Sequence, residues 1–130
     1  MRNLLLAAMM AAGAAQADEG AIQGVIGSQI GAFLEDDFAE AFTFAAPSIQ
    51  GMFGTPERFG QMVRQGYPMV WRPGSVEYLG TDQIGGRWLQ EVLVTDGDGR
   101  LHLLEYSMVE TENGWKIAGV RILDAPEIGA

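Results

Sequence analysis

The side chains able to do chemistry here are few, and their types exclude more than they suggest. His102 is the only histidine and cysteine is absent. A zinc site needs three or four nitrogen, sulfur or carboxylate donors, so one imidazole without thiolates leaves a carboxylate-rich site at best. No H-E-x-x-H pair, serine-centred elbow, phosphate loop or dinucleotide glycine fingerprint occurs. Asp96-Gly97-Asp98-Gly99 begins like a calcium loop, but the twelfth position, which must be glutamate, is Ser107. A hairpin turn explains that tetrad better. No cofactor and no metal is therefore expected. As a general base, His102 would need an orienting carboxylate and a substrate pocket. Tyr67, Tyr78 and Tyr106 are possible proton donors, although a core tyrosine with a satisfied hydroxyl is the ordinary reading.

These residues must be positioned by helices in the first half of the chain and strands in the second, a segregation that argues for an α+β fold. From Ile22, the apolar residues Val25, Ile26, Ile30, Phe33 and Leu34 recur as one helical face. Asp36 or Asp37 can cap a second helix carrying Phe38, Ala41, Phe42 and Ala45, which Pro47 ends. Ser48 to Phe53 reads as a short turn. Thr55-Pro56-Glu57 then opens another helix with Phe59, Met62 and Val63 on its apolar face, stopping near Gly66.

After Pro73-Gly74 the period becomes that of strands: 75–79, 87–95, 101–109 and 115–123. Asp96-Gly97-Asp98-Gly99 and Thr111-Glu112-Asn113-Gly114 both suit a type I turn closed by a left-handed glycine. Bulged turns of this kind set Glu105 opposite Arg121 and Glu110 opposite Lys116. Trp88, Gln90, Val92, Val94, His102, Leu104, Tyr106, Met108, Ala118, Val120 and Ile122 then share the face that the helices cover. A two-residue Asn113-Gly114 turn would shift the last pair. Leu89, Leu93, Leu101 and Leu103 share the outer face, where an apolar strip suggests a homodimer interface.

Residues 1–17 have the form of a secretory signal. Arg2 is the basic start, Leu4 to Ala12 the apolar run, and Ala15-Gln16-Ala17 the A-x-A site. The run is shorter than the ~20 residues a bilayer span needs, and no membrane span is expected in the mature chain. Cleavage after Ala17 would leave one domain, 18–130, in the periplasm. Without Arg2, 7 basic residues face 17 acidic ones, so the mature charge is −10, and so acidic a surface repels nucleic acid.

Several segments bear a resemblance to a known family: Gln29 to Phe33, Asp36-Asp37, Ala41 to Ala45, Phe53-Gly54, Met62-Val63, Gly66-Tyr67-Pro68, the strand around Tyr106, and Gly114 to Ile117. Together they resemble a family of small exported bacterial proteins known as a domain of unknown function, within the nuclear transport factor 2-like superfamily. That resemblance implies N-terminal helices packed on a curved antiparallel sheet, cone-like, with a pocket between them. It brings no defined chemistry, because the superfamily includes isomerases, dehydratases, binding modules and dimerisation domains. Gln90, His102, Tyr106, Met108, Tyr67 and Trp71 are the candidate pocket-lining residues. The expected function is a non-catalytic domain binding a small apolar ligand or a protein partner. The alternative is a cofactor-free lyase or isomerase using Tyr106, Gln90 and His102 as an acid/base site inside the cone.

Overall fold

A computed structural model describes the backbone of residues 2–123 and the side chains of residues 17–123. The side chains of the expected leader up to Gln16 lie outside the described residues. Helix α1 runs over Arg2–Leu34, and Ile22, Ile26, Gln29, Ile30 and Phe33 form its buried stripe. This spacing keeps the side chains on one face of a 3.6-residue helix.

The end of α1 is fixed by a Schellman-type reversal. Asp37 N donates to Ala32 O (2.8 Å) and Asp36 N to Phe33 O (2.9 Å). Asp36 occupies the left-handed position (φ 57°), which usually falls to glycine. Its carboxylate stabilises that conformation, accepting from Trp71 Nε1 and Arg72 Nη2, both at 2.9 Å. These two bonds, with the Arg72 charge, hold the Asp36 carboxyl below its ordinary range. Asp37 caps α2 (Phe38–Thr43) by accepting from Glu40 N. Of the two expected capping aspartates, each has a helix end of its own.

Next come α3 (Pro47–Phe53), α4 (Pro56–Gly66) and the single turn α5 (Pro68–Trp71). Thr55 caps α4 by accepting from Arg58 N, with Pro56 in the first turn as its type dictates. Gly60 is required by contact. A Cβ there would stand 2.5 Å from Phe38 Cδ1 and 2.7 Å from Cγ.

The second half is a four-stranded antiparallel meander in the order β1-β2-β3-β4: Pro73–Ile84, Arg87–Asp96, Leu101–Thr111 and Gly114–Leu123. Helices followed by this curved sheet make the expected α+β fold. The first strand is longer than its sequence pattern suggested, because it continues past an irregularity between Tyr78 and Thr81. The β2–β3 register follows the bulged turn, with Thr95 opposite Leu101 and Gln90 opposite Tyr106.

In the last hairpin, Glu105 opposes Arg121 as expected, at 2.9 Å between Oε1 and Nη2. Glu110, however, opposes Trp115 instead of Lys116. The register shift falls between Ser107 and Met108, which leaves Ala118 as the extra residue of β4. Burial explains the position. With the shift there, Trp115 and Ile117 turn inward (8% and 4% exposed) and Trp115 meets Trp88 edge-on at 5.9 Å. Ala118 therefore does not share the regular inner row assigned to it from the sequence. Lys116 instead donates to Thr43 O at 2.9 Å.

Gly60→Ala should destabilise the fold by about 1–3 kcal/mol, because the methyl group overpacks against Phe38. Chemical denaturation of the two proteins checks this, and equal midpoints would contradict the close α2–α4 contact.

Candidate functional site

The helices do not fill all the space above the sheet. A cavity of about 390 Å³ opens between α1, α3, α4 and β4. Its floor comes from Ile117, Gly119 and Val120 on β4, and its walls from Phe33, Ile49, Phe53, Phe59, Met62, Val63 and Val70. Phe59 is the hub of the aromatic wall, with ring centroids 5.3 Å from Phe42 and 5.9 Å from both Phe33 and Phe53. Offset and tilted rings at these separations add to the stabilisation from burial. Met52 stands 72% exposed and also lines the cavity, which marks its mouth.

Two polar side chains interrupt the apolar lining. Gln29 is 3% exposed, and its Nε2 donates to Ala41 O at 3.1 Å, joining α1 to α2. Tyr67 Oη donates to Val120 O at 3.1 Å, joining the α4–α5 corner to β4. A cavity of this size with an apolar wall and few placed polar groups has the make-up of a small-molecule site.

Of the six residues proposed from sequence, Tyr67 lines this cavity. The structure places the others elsewhere. Gln90 is wholly buried and engaged by its surroundings, with Nε2 donating to Leu79 O (3.1 Å), Gly80 O (3.4 Å) and Glu91 O (2.9 Å). Its Oε1 accepts from Gln23 Nε2 at 3.4 Å. Leu79 and Gly80 lie within the irregular stretch of β1, so Gln90 serves carbonyls there.

Tyr106 is sealed in the core, and its hydroxyl has no hydrogen-bond partner among the described residues. Burial, with smaller effects of Tyr78 and Tyr67, pushes that hydroxyl far above its ordinary range. Those two tyrosines donate to backbone carbonyls themselves, Tyr78 to Gln23 O at 3.2 Å and Tyr67 to Val120 O. Met108 packs in the core beside Tyr106 and Leu104. His102 sits by the β2–β3 turn, with Nε2 2.8 Å from Asp96 Oδ2. Asp96 Oδ1 also accepts from Asp98 N and Arg100 N, and the His102 bond leads the effects that lower its carboxyl below the ordinary range. Trp71 closes the Asp36 corner, with the Arg72 guanidinium 4.1 Å above its ring.

Phe33, Phe59 and Val63, which surround the cavity, have in the sequence only the signature of one-face core positions of their helices. Gln29 carried a signal that went unused, being an amide on the buried stripe of α1.

A smaller groove lies between Gly80, Thr81, Asp82, Leu89, Glu91 and Glu105. Glu91 and Glu105 are direct cross-strand neighbours there. Among the described residues no group of three or more acidic or histidine side chains is arranged to hold a metal ion.

The chain belongs to the family described as domain of unknown function DUF4864, whose model matches residues 15–130. No protein of curated function matches it. Among solved structures, it is similar to a SEC-C motif containing protein from Rhodopseudomonas palustris, with 15% identity over 72% of each chain and a TM-score of 0.52. At that identity the likeness speaks for the fold alone. An NTF2-like protein of unknown function from Burkholderia pseudomallei is 17% identical over 82% of this chain and 92% of its own, with a TM-score of 0.38.

The isolated hydroxyl gives a direct test of the core. A buried polar group without a partner costs about 1–3 kcal/mol. Tyr106→Phe removes that group and keeps the ring, so its melting temperature should equal or exceed that of the parent. A clear drop would mean that the hydroxyl has a partner in solution.

Proposed function

We propose that this member of the DUF4864 family is a non-catalytic binding domain that takes a small apolar molecule into the cavity between its helices and β4. The observation that carries the reading is the make-up of that cavity: about 390 Å³, walled by phenylalanine, methionine and aliphatic side chains, with Met52 at the mouth. Transfer of apolar surface into such a space is worth ~25 cal/mol per Å² removed from water. The acid/base alternative requires Tyr106, Gln90 and His102 to converge. Their three settings, a sealed core, a strand irregularity and a hairpin turn, give that reading no support.

The neutral dye N-phenyl-1-naphthylamine reports the site through its fluorescence gain in apolar surroundings. It should bind at one molecule per chain with micromolar affinity. Val63→Trp, which fills the cavity from α4, should abolish the gain while the far-ultraviolet dichroism stays unchanged. Equal fluorescence with both proteins would place the dye elsewhere and overturn the reading.

We further propose that the domain is exported to the periplasm, with a mature chain starting at Asp18, and that it dimerises through its outer sheet face. Trimming at Ala17 leaves in place the contacts that the described part of α1 makes with the sheet. Glu19 Oε1 accepts from Thr81 Oγ1 at 3.1 Å, and Ile22 is fully buried. Among the described residues no helix is long and apolar enough to cross a membrane. On the outer face, Leu93 opposes Leu103, which opposes Leu123, and Leu101 at the sheet end is 41% exposed. Envelope-fraction protein should give an intact mass beginning at Asp18 and sediment as a dimer, with Leu101→Glu shifted to monomer. Retention of residues 1–17 would refute the export reading, and a wild-type monomer at micromolar concentration would refute the dimer.

A further inference from the structure

The polar atoms on the cavity wall narrow the chemistry of its occupant. This inference rests on the binding reading above and specifies it. Gln29 Nε2 faces Ala41 O, and a carbonyl only accepts, so the orientation of the amide is fixed: nitrogen towards α2, oxygen at the other end. Gln29 Oε1 has no hydrogen-bond partner among the described residues. Among the described residues, the side-chain atoms sealed from solvent without a partner are Tyr106 Oη and Ser107 Oγ. Gln29 Oε1 is not one of them, although its residue is 3% exposed and lines the cavity. With Nε2 held by Ala41 O, Oε1 is the amide atom that Gln29 has left for an occupant of the cavity it lines.

Tyr67 makes the same offer. Its hydroxyl hydrogen is committed to Val120 O, which leaves the lone pairs of Oη as its remaining capacity. Both polar side chains of the wall thus present acceptors. An acceptor in an apolar enclosure discriminates strongly, because a ligand without a matching donor leaves it desolvated and unpaired. A carboxylate brings only further acceptors and a charge into a site with no cation on its wall.

We infer that the cavity selects a neutral, mainly aromatic or aliphatic molecule that carries one hydrogen-bond donor, a hydroxyl or N–H, directed at Gln29 Oε1. The tilted rings of Phe33, Phe53 and Phe59 favour an aromatic body. Fatty-acid anions and donor-free hydrocarbons are the classes it discriminates against.

The test compares three probes of nearly one shape, 2-naphthol, naphthalene and 2-naphthoate, by isothermal titration with the full chain. 2-Naphthol should bind about tenfold more tightly than naphthalene, the scale of one buried hydrogen bond, and 2-naphthoate should bind most weakly. In Gln29→Met, which keeps length and loses the acceptor, the preference for naphthol over naphthalene should vanish, with naphthalene binding more tightly than to the parent because it no longer leaves an acceptor desolvated. The wild-type comparison stands even if that variant fails to fold, because it needs no substitution. Equal affinity of naphthol and naphthalene would overturn the donor inference and leave the cavity reading intact. Tightest binding of naphthoate would overturn it as well. Binding of none of the three would overturn both.

Discussion

The structure depends on the burial of one helical stripe. Ile22, Ile26, Ile30 and Phe33 of α1 have to leave water, and the inner face of the sheet offers Val92, Val94, Leu104, Tyr106 and Met108 to receive them. Every one of those five sheet residues is fully buried. Close approach of the two layers has local requirements. A Cβ at Gly27 would come within 3.1 Å of Tyr78 Oη, whose hydroxyl reaches past that position to Gln23 O. At its C-terminal end α1 is held by the Asp36 corner, which turns the chain so that α2 packs on α1 and α4 while α3 reaches β4 and α5 reaches β1 and β2.

What those short helices cover, they cover incompletely, and the cavity lies where they meet β4. The bulge at Ala118 contributes to its shape. It turns Trp115 and Ile117 inward on one side of the irregularity and Val120 inward on the other, so β4 lends both Ile117 and Val120 to the cavity floor. The edge of β4 is partly covered there as well, since Ile117 N donates to Phe44 O and Ala46 N to Ile117 O. The polar groups of the interior then divide by setting. Gln90 is engaged by carbonyls of β1 and β2, the Tyr106 hydroxyl is enclosed with no partner among the described residues, and Gln29 and Tyr67 stand on the cavity wall with acceptor capacity left over.

Much of the architecture was legible because it rests on local chemistry. The Thr55-Pro56 start of α4, the capping by Asp37 and the Asp96–Gly99 turn each follow from residue type at one position. The expected Glu105–Arg121 pair forms because the extra residue anticipated at the turn is taken up at Ala118 instead, which restores that register further along the hairpin. The parts that were not legible depend on contacts between distant segments. Where the last hairpin takes up its extra residue is decided by the burial of Trp115 and Ile117 against the helices, which no turn propensity records. The site was less legible still. Alternation along β2 and β3 correctly put Gln90, Tyr106 and Met108 on the covered face, but did not say which part of that face the helices would leave open. Periodicity marks a phenylalanine on a helix as buried, whether it meets another side chain or a cavity.

A titration followed by methyl-resonance NMR tests the central claim, that the space between the helices and β4 is a ligand site. With 2-naphthol added to isotopically labelled protein, the account predicts shift changes at Ile49, Val63, Val70, Ile117 and Val120, with Leu104 and Val92 in the closed core unmoved. Changes confined to Leu93, Leu101 and Leu103 on the outer face, or no saturable change at any methyl group, would contradict it.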